Sequence, residues 1–373
     1  MADKSLDVER LFQPVDLGKL TLSNRIVMAP MTRGFSPNGI PGADVAGYYR
    51  RRAGNEVGLI VTEGTLINHP AAAEGLGRPN FYGQQSLDAW AKVVEGVHQA
   101  GGKIIPQLWH VGMARQIGGQ NPNPEAPPIG PSGIDVMSGA KVTKPMTQDE
   151  IGYVVNAFAE AARQAKHLGF DGIELHGAHG YLIDQFFWAN TNQRDDEYGG
   201  DLIARTRFAT EIIKACRVAV GDDFPIVFRF SQWKMGHYQE KLAQNPAELS
   251  AFLTPLSEAG VDIFHASTRR YWEPEFVDSP LNLAGWTKKL TGKPTITVGS
   301  VGVDTNFIEF FMEGKGANHS SLAPLLDRLK QGEFDLVAVG RALLADPAWA
   351  AKIHQNRVNE LILFAKGAEE TLS

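Results

Sequence analysis

The chain has 373 residues, 43% hydrophobic and 21% charged, an ordinary balance for a globular protein with a large core that excludes disordered and fibrous classes. A formal net charge of −6 leaves no basic excess to bind a nucleic-acid backbone, so we expect no nucleic-acid partner. The single cysteine, Cys216, excludes an intramolecular disulfide and a cysteine-ligated iron–sulfur cluster, and it favours a reducing compartment.

The N-terminal sequence, MADKSLDVERLF, contains no apolar run of the kind that forms the core of a signal peptide. No later segment approaches the roughly 18 consecutive apolar residues of a membrane span. We therefore expect a cytoplasmic protein without a membrane segment.

Eight short apolar runs, rich in β-branched residues, are spread along the chain. Several are apolar at nearly every position, as expected for parallel strands that are covered on both faces. The predicted strands lie at 25–29, 58–62, 103–107, 172–175, 226–230, 263–266, 295–298 and 336–339. Helical patterns between them lie at 86–100, 149–168, 202–220, 246–259 and 346–356. This alternation predicts an α/β fold, a (β/α)₈ TIM barrel that forms a single domain over residues 1–373.

Two segments do not fit a plain barrel. Residues 15–23, VDLGKLTLS, are predicted to form a small hairpin that plugs the N-terminal mouth. Residues 112–145 form a long loop rich in Gly and Pro after the third strand. Because this loop leaves the carboxyl end of a strand, where barrel active sites lie, we interpret it as a lid.

The richest strand end is the fourth, where His176, His179 and Tyr181 follow one another closely. If the chain turns into a helix after His176, the two histidines lie on one face. Two imidazoles and a phenol could stabilise a developing oxyanion and donate a proton to a nearby carbon. Metal ligation and ordinary buried histidines are the alternatives, and zinc is the weaker one because only Glu174 and Asp184 stand nearby as acidic ligands.

The last two strands end in Val298-Gly299-Ser300 and Gly340-Arg341. Barrels commonly bind phosphate at these two positions through backbone N–H groups, and a nearby arginine can add a bidentate contact. Two ordinary turns are the alternative.

Other strands carry polar residues that an apolar core would not select. Thr32 follows the first strand, Gln107 ends the third, and Arg229 lies in the fifth. An arginine that points into the barrel needs an anion, because a buried unpaired charge is very costly. A surface salt bridge on the outside of the barrel is the alternative for Arg229.

Seven motifs follow one another between Leu11 and about Trp349, and they read NRIVMAPMTR, LIVTEGT, PQLWHVG, HGAHGYLIDQFF, NQRDDEYGG, TVGS and VAVGRALLADP. In order and spacing they resemble the motifs of the old yellow enzyme family of FMN-dependent ene-reductases. The resemblance implies a barrel with one non-covalent FMN at its mouth. The segment after YGG, DLIARTRF, departs from the usual family pattern and puts in doubt structural contacts beneath the barrel.

The resemblance also implies roles for individual residues near the flavin ring. Pro30, Met31 and Thr32 match the contacts to the isoalloxazine, with Thr32 at its C4 carbonyl oxygen. Gly64 and Gln107 match residues near the pyrimidine edge.

Further roles follow from the same resemblance. Arg229 matches the arginine beside flavin N1 and the C2 carbonyl, and the glycine-containing ends of the last two strands match the phosphate site. His176 and His179 match the pair that holds a substrate carbonyl oxygen, and Tyr181 matches the proton donor to the α carbon.

The activity implied by the family is a ping-pong reaction in which NADH or NADPH reduces FMN and an activated alkene, an enone or nitroalkene, then reoxidises it. The expected partners are therefore small molecules, and the protein is expected to be a monomer or homodimer. Trp109, Tyr271 and Trp272 match positions that shape the substrate pocket, although core packing or a subunit contact is nearly as plausible for Tyr271 and Trp272.

Two other classes remain open from the residues alone. A phosphosugar isomerase or aldolase barrel would use the same phosphate loops but needs a catalytic lysine or glutamate at a strand end. A non-catalytic flavin-binding or redox-sensing protein would not need His176, His179 and Tyr181 together.

Overall fold

The computed structural model describes residues 8–305, 314–365 and 367–373. Residues 1–7, which form most of the N-terminal segment discussed above, lie outside the described residues. The chain enters through a short helix α1 (Glu9–Phe12), followed by the antiparallel strands β1 (Val15–Asp16) and β2 (Thr21–Leu22). These two strands confirm the predicted hairpin.

Eight parallel strands close into a barrel in which each strand pairs with its neighbour along the chain and the last pairs with the first. This confirms the predicted (β/α)₈ fold; that the whole chain is one domain stays a prediction. The strands are β3 (Ile26–Met28), β4 (Leu59–Leu66), β5 (Lys103–Trp109), β6 (Ile173–His179), β7 (Ile226–Lys234), β8 (Ile263–Ser267), β9 (Thr295–Val298) and β10 (Leu336–Val339).

The barrel wall is taller on one side than on the other. Strands β4 to β7 have seven to nine residues each, whereas β3, β8, β9 and β10 have three to five. All four tall strands run past the apolar segments from which they were predicted, because the continuation of each one contains polar or aromatic residues that interrupt the apolar run. The candidate chemistry of the sequence is concentrated in these extensions.

The lower half of the barrel interior is a separate apolar cluster. Val27 and Leu59 from the strands pack there with Val15, Leu20 and Leu22 of the hairpin segment. Burial of these side chains seals the N-terminal mouth, as expected for the predicted plug.

Helices cover the outside of the barrel. They are α2 (Ala43–Ala53), α3 (Gln84–Gln99), α4 (Gln148–His167), α5 (Leu182–Phe187), α6 (Arg207–Val220), α7 (Pro246–Ala259), α8 (Leu283–Thr291), α9 (Ala323–Lys330), α10 (Arg341–Ala345) and α11 (Trp349–His354). The sequence did not reveal α2, α5, α8, α9 or α10, and the helix predicted at 346–356 is present but shorter, as α11. Within the described part of the chain, no helix is long and apolar enough to cross a membrane.

The long loop after β5 is held against the C-terminal side of the barrel. Met113 and Val136 pack with Trp188, which follows α5. His237, which follows β7, lies with its Nε2 3.0 Å from the Val136 carbonyl oxygen. The loop therefore lies on the face where the predicted site residues emerge, and its action as a lid stays a prediction.

Candidate active site

His176 and His179 are brought together by a strand irregularity. Both residues belong to β6, so the helix assumed after His176 is wrong; α5 begins only at Leu182. The register against β7 shifts between Gly177 and His179, and His179 adopts a positive φ of 66°. This bulge turns the second ring back towards the first, and the two ring centroids lie 5.1 Å apart.

Tyr181 completes a compact ring cluster. Its ring meets His176 edge-on at 5.0 Å and Trp109 edge-on at 5.1 Å. The Trp109 ring fits there because Gly64 has no side chain, since a Cβ at Gly64 would lie 2.5 Å from Trp109 Cε3. Gly64 thus supports the wall of the cluster, alongside the flavin role that the resemblance implies.

Burial keeps both histidines neutral. The pKa of His176 and that of His179 are held well below the usual range, first by desolvation and then by the positive charge of Arg229. Each neutral imidazole therefore carries one N–H that can donate a hydrogen bond. Desolvation raises the pKa of the Tyr181 phenol to about 12, so that it stays protonated at neutral pH.

Arg229 points into the barrel, which excludes the surface salt bridge considered above. It is 7% exposed; burial lowers its pKa, and the negative charge of Glu174, within β6, partly offsets this effect. Glu174 also accepts a hydrogen bond from Gln107 Nε2 at 2.8 Å and lies 2.6 Å from His265 Nδ1. These four side chains form a buried polar layer above the apolar plug cluster, and the sequence did not predict the contribution of His265.

The acidic residues beside the histidines are engaged elsewhere. Asp184 forms a fully buried ion pair with Lys234 at 2.8 Å and accepts from the Gly180 backbone N–H. Glu174 is occupied in the polar layer. Among the described residues no group of three or more His, Cys, Asp or Glu side chains is arranged to hold a metal ion. The Lys234 amine is also fully enclosed, and so does not provide the accessible lysine of an aldolase site.

The ends of the neighbouring strands β9 and β10 lie side by side at the rim of the barrel. Their role as a phosphate site stays a prediction. Gly299 follows Val298 with φ 143°, and a Cβ there would lie 2.7 Å from the Thr268 carbonyl oxygen. Arg341 follows Gly340 after β10 and donates to the Ser300 hydroxyl at 3.2 Å. The glycines bring two stretches of backbone and one guanidinium to the same rim of the barrel.

The segment after β3 lies at the same mouth. Pro30 and Met31 are half-buried and Thr32 is exposed. Glu63 of β4 holds this segment in place, because its carboxylate accepts from the Arg33 backbone N–H at 2.8 Å and from Gly34 at 3.0 Å.

Tyr271 and Trp272 lie after β8 and pack against each other. Their rings meet edge-on at 5.1 Å, and both backbone carbonyls accept from Arg328 of α9. These contacts support core packing, and a place in the substrate pocket stays a prediction. The aromatic residue that sequence reasoning missed is Trp233, whose ring stacks on His179 at 4.5 Å. It lies in the extension of β7 beyond the apolar run, where strand length was underestimated.

The sequence profile of the NADH:flavin oxidoreductase / NADH oxidase family matches residues 10–360. The chain belongs to this family. It is 33% identical over 360 residues to an NADH oxidase of Thermoanaerobacter brockii, covering 94% of this chain and 52% of that protein. It is 35% identical over 342 residues to a putative 12-oxophytodienoate reductase 2 of Oryza sativa subsp. japonica, covering 90% and 85%. The chain thus spans about half the length of the first of these family members and most of the second.

The fold is similar to solved structures of morphinone reductase. One has a TM-score of 0.79 and 26% sequence identity, covering 99% of this chain and 94% of that chain. A complex of morphinone reductase with tetrahydroNAD has a TM-score of 0.79 and 26% identity, covering 96% and 93%. These findings confirm the resemblance to the old yellow enzyme family.

Family membership implies FMN, and the residues present fit this cofactor. Trp109 Nε1, His176 Nδ1 and Arg229 Nε are buried and have no hydrogen-bond partner among the described residues. Buried polar atoms normally have partners, so this cluster of unpaired groups suits a polar ligand at the mouth. The open backbone at Gly299 and Gly340 suits its phosphate.

Proposed function

We propose that the chain is an FMN-dependent ene-reductase that uses NADH or NADPH to reduce the carbon–carbon double bond of activated alkenes such as enones or nitroalkenes. The observation that carries this proposal is the cluster of two neutral imidazoles and one protonated phenol beside a buried arginine. The proposed partners are small molecules, and the protein acts as a monomer or homodimer.

Arg229 and Gln107 would hold the pyrimidine side of FMN, Pro30 to Thr32 its ring, and the residues after β9 and β10 its phosphate. Bound there, FMN supplies a hydride acceptor for the nicotinamide and a hydride donor for the alkene. The positive charge of Arg229 suits a ring system that gains negative charge on reduction, while Glu174 keeps the buried guanidinium balanced when the ring is neutral.

His176 and His179 would donate their N–H groups to the oxygen of the substrate's activating group. Because that oxygen gains charge as hydride reaches the β carbon, these hydrogen bonds strengthen in the transition state and lower the barrier. Tyr181 would deliver its proton to the α carbon. The rings of Trp109 and Trp233 fix the orientation of Tyr181 and His179, which limits the motion of the donors.

The proposal is tested by the flavin and the oxidative half-reaction. The purified protein is expected to be yellow, to release FMN on denaturation, and to show a long-wavelength absorbance band with phenols that stack on the flavin. Reduced protein should be reoxidised without oxygen by cyclic enones, maleimides or nitroalkenes. Colourless protein that does not take up added FMN would overturn the assignment, and flavoprotein that no alkene reoxidises would favour a non-catalytic flavin-binding protein.

The choice of nicotinamide is tested in the other half-reaction. Stopped-flow reduction of the flavoprotein with NADH and with NADPH at equal concentrations gives both rate constants directly. Reduction by neither would contradict the proposed reductant.

A further inference from the structure

The hydroxyl of Ser267 connects the arginine of the site to one of its histidines. Ser267 is the last residue of β8 and is 3% exposed. Its Oγ lies 2.8 Å from His179 Nε2 and accepts a hydrogen bond from Arg229 Nη2 at 3.3 Å. Neither the motifs nor the strand-end pattern of the sequence pointed to this serine.

The direction of these hydrogen bonds follows from the donors available. A guanidinium has no acceptor, so Arg229 must donate to Ser267. The serine has one hydroxyl hydrogen, and His179 Nε2 is the one acceptor side-chain atom that the described residues bring within reach of it. Buried hydroxyl hydrogens are normally paired, so Ser267 donates to His179 Nε2.

The opposite arrangement is unfavourable. If His179 Nε2 carried the proton and donated to Ser267, the serine would accept twice and its own buried hydrogen would have no partner. A neutral imidazole protonated at one nitrogen is unprotonated at the other. Donation from Ser267 to Nε2 therefore places the His179 proton on Nδ1.

The surroundings keep the imidazole in this orientation. Trp233 stacks on the His179 ring and donates through its indole N–H to the Ser267 carbonyl oxygen at 3.1 Å. The His179 backbone N–H donates to the Ser231 hydroxyl at 3.0 Å. Rotation of the ring would break the contact with Ser267 and disturb the stack.

We propose that Ser267 is a positioning residue that fixes His179 as the Nδ1–H tautomer and thereby presents this N–H to the ligand oxygen. The charge of Arg229 polarises the Ser267 hydroxyl, which makes the hydrogen bond to Nε2 stronger and Nδ1–H a better donor. The step from tautomer to ligand rests on the function proposed above, whereas the tautomer itself does not.

The tautomer is measured in the protein as purified by imidazole ¹⁵N NMR, with the signals of His179 assigned by their loss in His179→Gln. Wild-type protein should show an unprotonated Nε2 and a protonated Nδ1. Ser267→Ala should show a mixture of both tautomers, and Ser267→Thr, which keeps the hydroxyl, should restore the wild-type pattern. Ser86→Ala is the matched control, because it removes a buried hydroxyl that donates to the Gly39 carbonyl oxygen at 3.1 Å and makes no contact with His179, and it should leave the tautomer unchanged.

The consequence for binding is measured by titration with a phenol. Ser267→Ala should bind it about tenfold more weakly, as expected for weakening of one hydrogen bond. A protonated Nε2 in wild-type protein, or an unchanged Nδ1–H tautomer in Ser267→Ala, would overturn the proposal. Equal phenol affinity in wild type and Ser267→Ala would overturn its ligand step, whereas absence of phenol binding in wild type would count against the proposed function and leave the NMR result to decide the tautomer.

Discussion

Replacing Tyr181 by phenylalanine removes one hydroxyl from the site and little else. The aromatic ring keeps its edge-on contacts with His176 at 5.0 Å and Trp109 at 5.1 Å. Within the described part of the chain, the phenol oxygen makes no protein hydrogen bond that the substitution would break. We therefore expect the free energy of unfolding to change little, so that the kinetic effect reports the lost proton.

The expected kinetic effect is specific to one half-reaction. Loss of a general acid slows proton transfer by roughly 10²–10⁴-fold, which corresponds to about 3–5 kcal/mol of transition-state free energy. Reoxidation of the reduced protein by an enone should slow by this factor, whereas reduction by NADH or NADPH should be nearly unchanged. Both rates are measured anaerobically by stopped flow, and the exposed Tyr153, replaced by phenylalanine, provides the control.

The pH dependence gives an independent check on the same residue. Because desolvation raises the pKa of Tyr181 to about 12, the protonated, active form persists to higher pH than a solvent-exposed tyrosine allows. Enone reoxidation should stay level up to about pH 10 and fall only as the pH rises towards 12. Equal slowing of both half-reactions in Tyr181→Phe, or no slowing, would refute the assigned role.

Three further predictions concern stability and packing. Desolvation lowers the pKa of His69 to about 4, so as the pH decreases from 6.5 to 4 the unfolded chain binds a proton that the folded chain lacks, and the free energy of unfolding decreases. His69→Gln should make this decrease shallower by at most about 1.4 kcal/mol per pH unit, measured by urea unfolding, and an unaltered slope would contradict the prediction. Burial raises the pKa of the Cys216 thiol and encloses it completely, so a thiol reagent should modify it only on unfolding, and rapid modification of native protein would disprove this. Gly64→Ala places a Cβ 2.5 Å from Trp109 and should destabilise the protein by roughly 1–3 kcal/mol. Gly152→Ala is the control and should not destabilise it, because the space around Gly152 is open. Equal free energies of unfolding for the two variants would show that the Trp109 ring moves freely.

The barrel could be predicted because its strands are almost entirely apolar. Strands β9 and β10 were predicted with the bounds observed, since β10 is an uninterrupted apolar run and β9 consists only of Thr, Ile and Val, which favour strands. The tall strands were predicted too short, because their ends exchange apolar side chains for the polar ones that form the site. Helix α2 was missed because its three consecutive arginines, Arg50–Arg52, obscure the apolar stripe, although Arg52 itself is buried.

The identities of the histidine pair and the tyrosine were available from the sequence, but their geometry was not. A helical turn was assumed, whereas a bulge in β6 and a left-handed His179 bring the rings together. Ser267 and Trp233 meet His179 only through the register of three neighbouring strands, which no local pattern encodes. For Tyr271, the contacts with Trp272 and Arg328 agree with the packing alternative, and a place in the substrate pocket stays a prediction.

The unequal height of the barrel wall divides its rim into a tall part and a low part. Strands β4 to β7 make the tall part, which carries His176, His179 and Arg229, and strands β3 and β8 to β10 make the low part. The two parts are coupled at Ser267 of β8, which contacts both His179 and Arg229, so substitutions paired across these contacts should depart from additivity in their free-energy effects. Substitutions in the low part can therefore affect the histidine pair of the tall part through this serine.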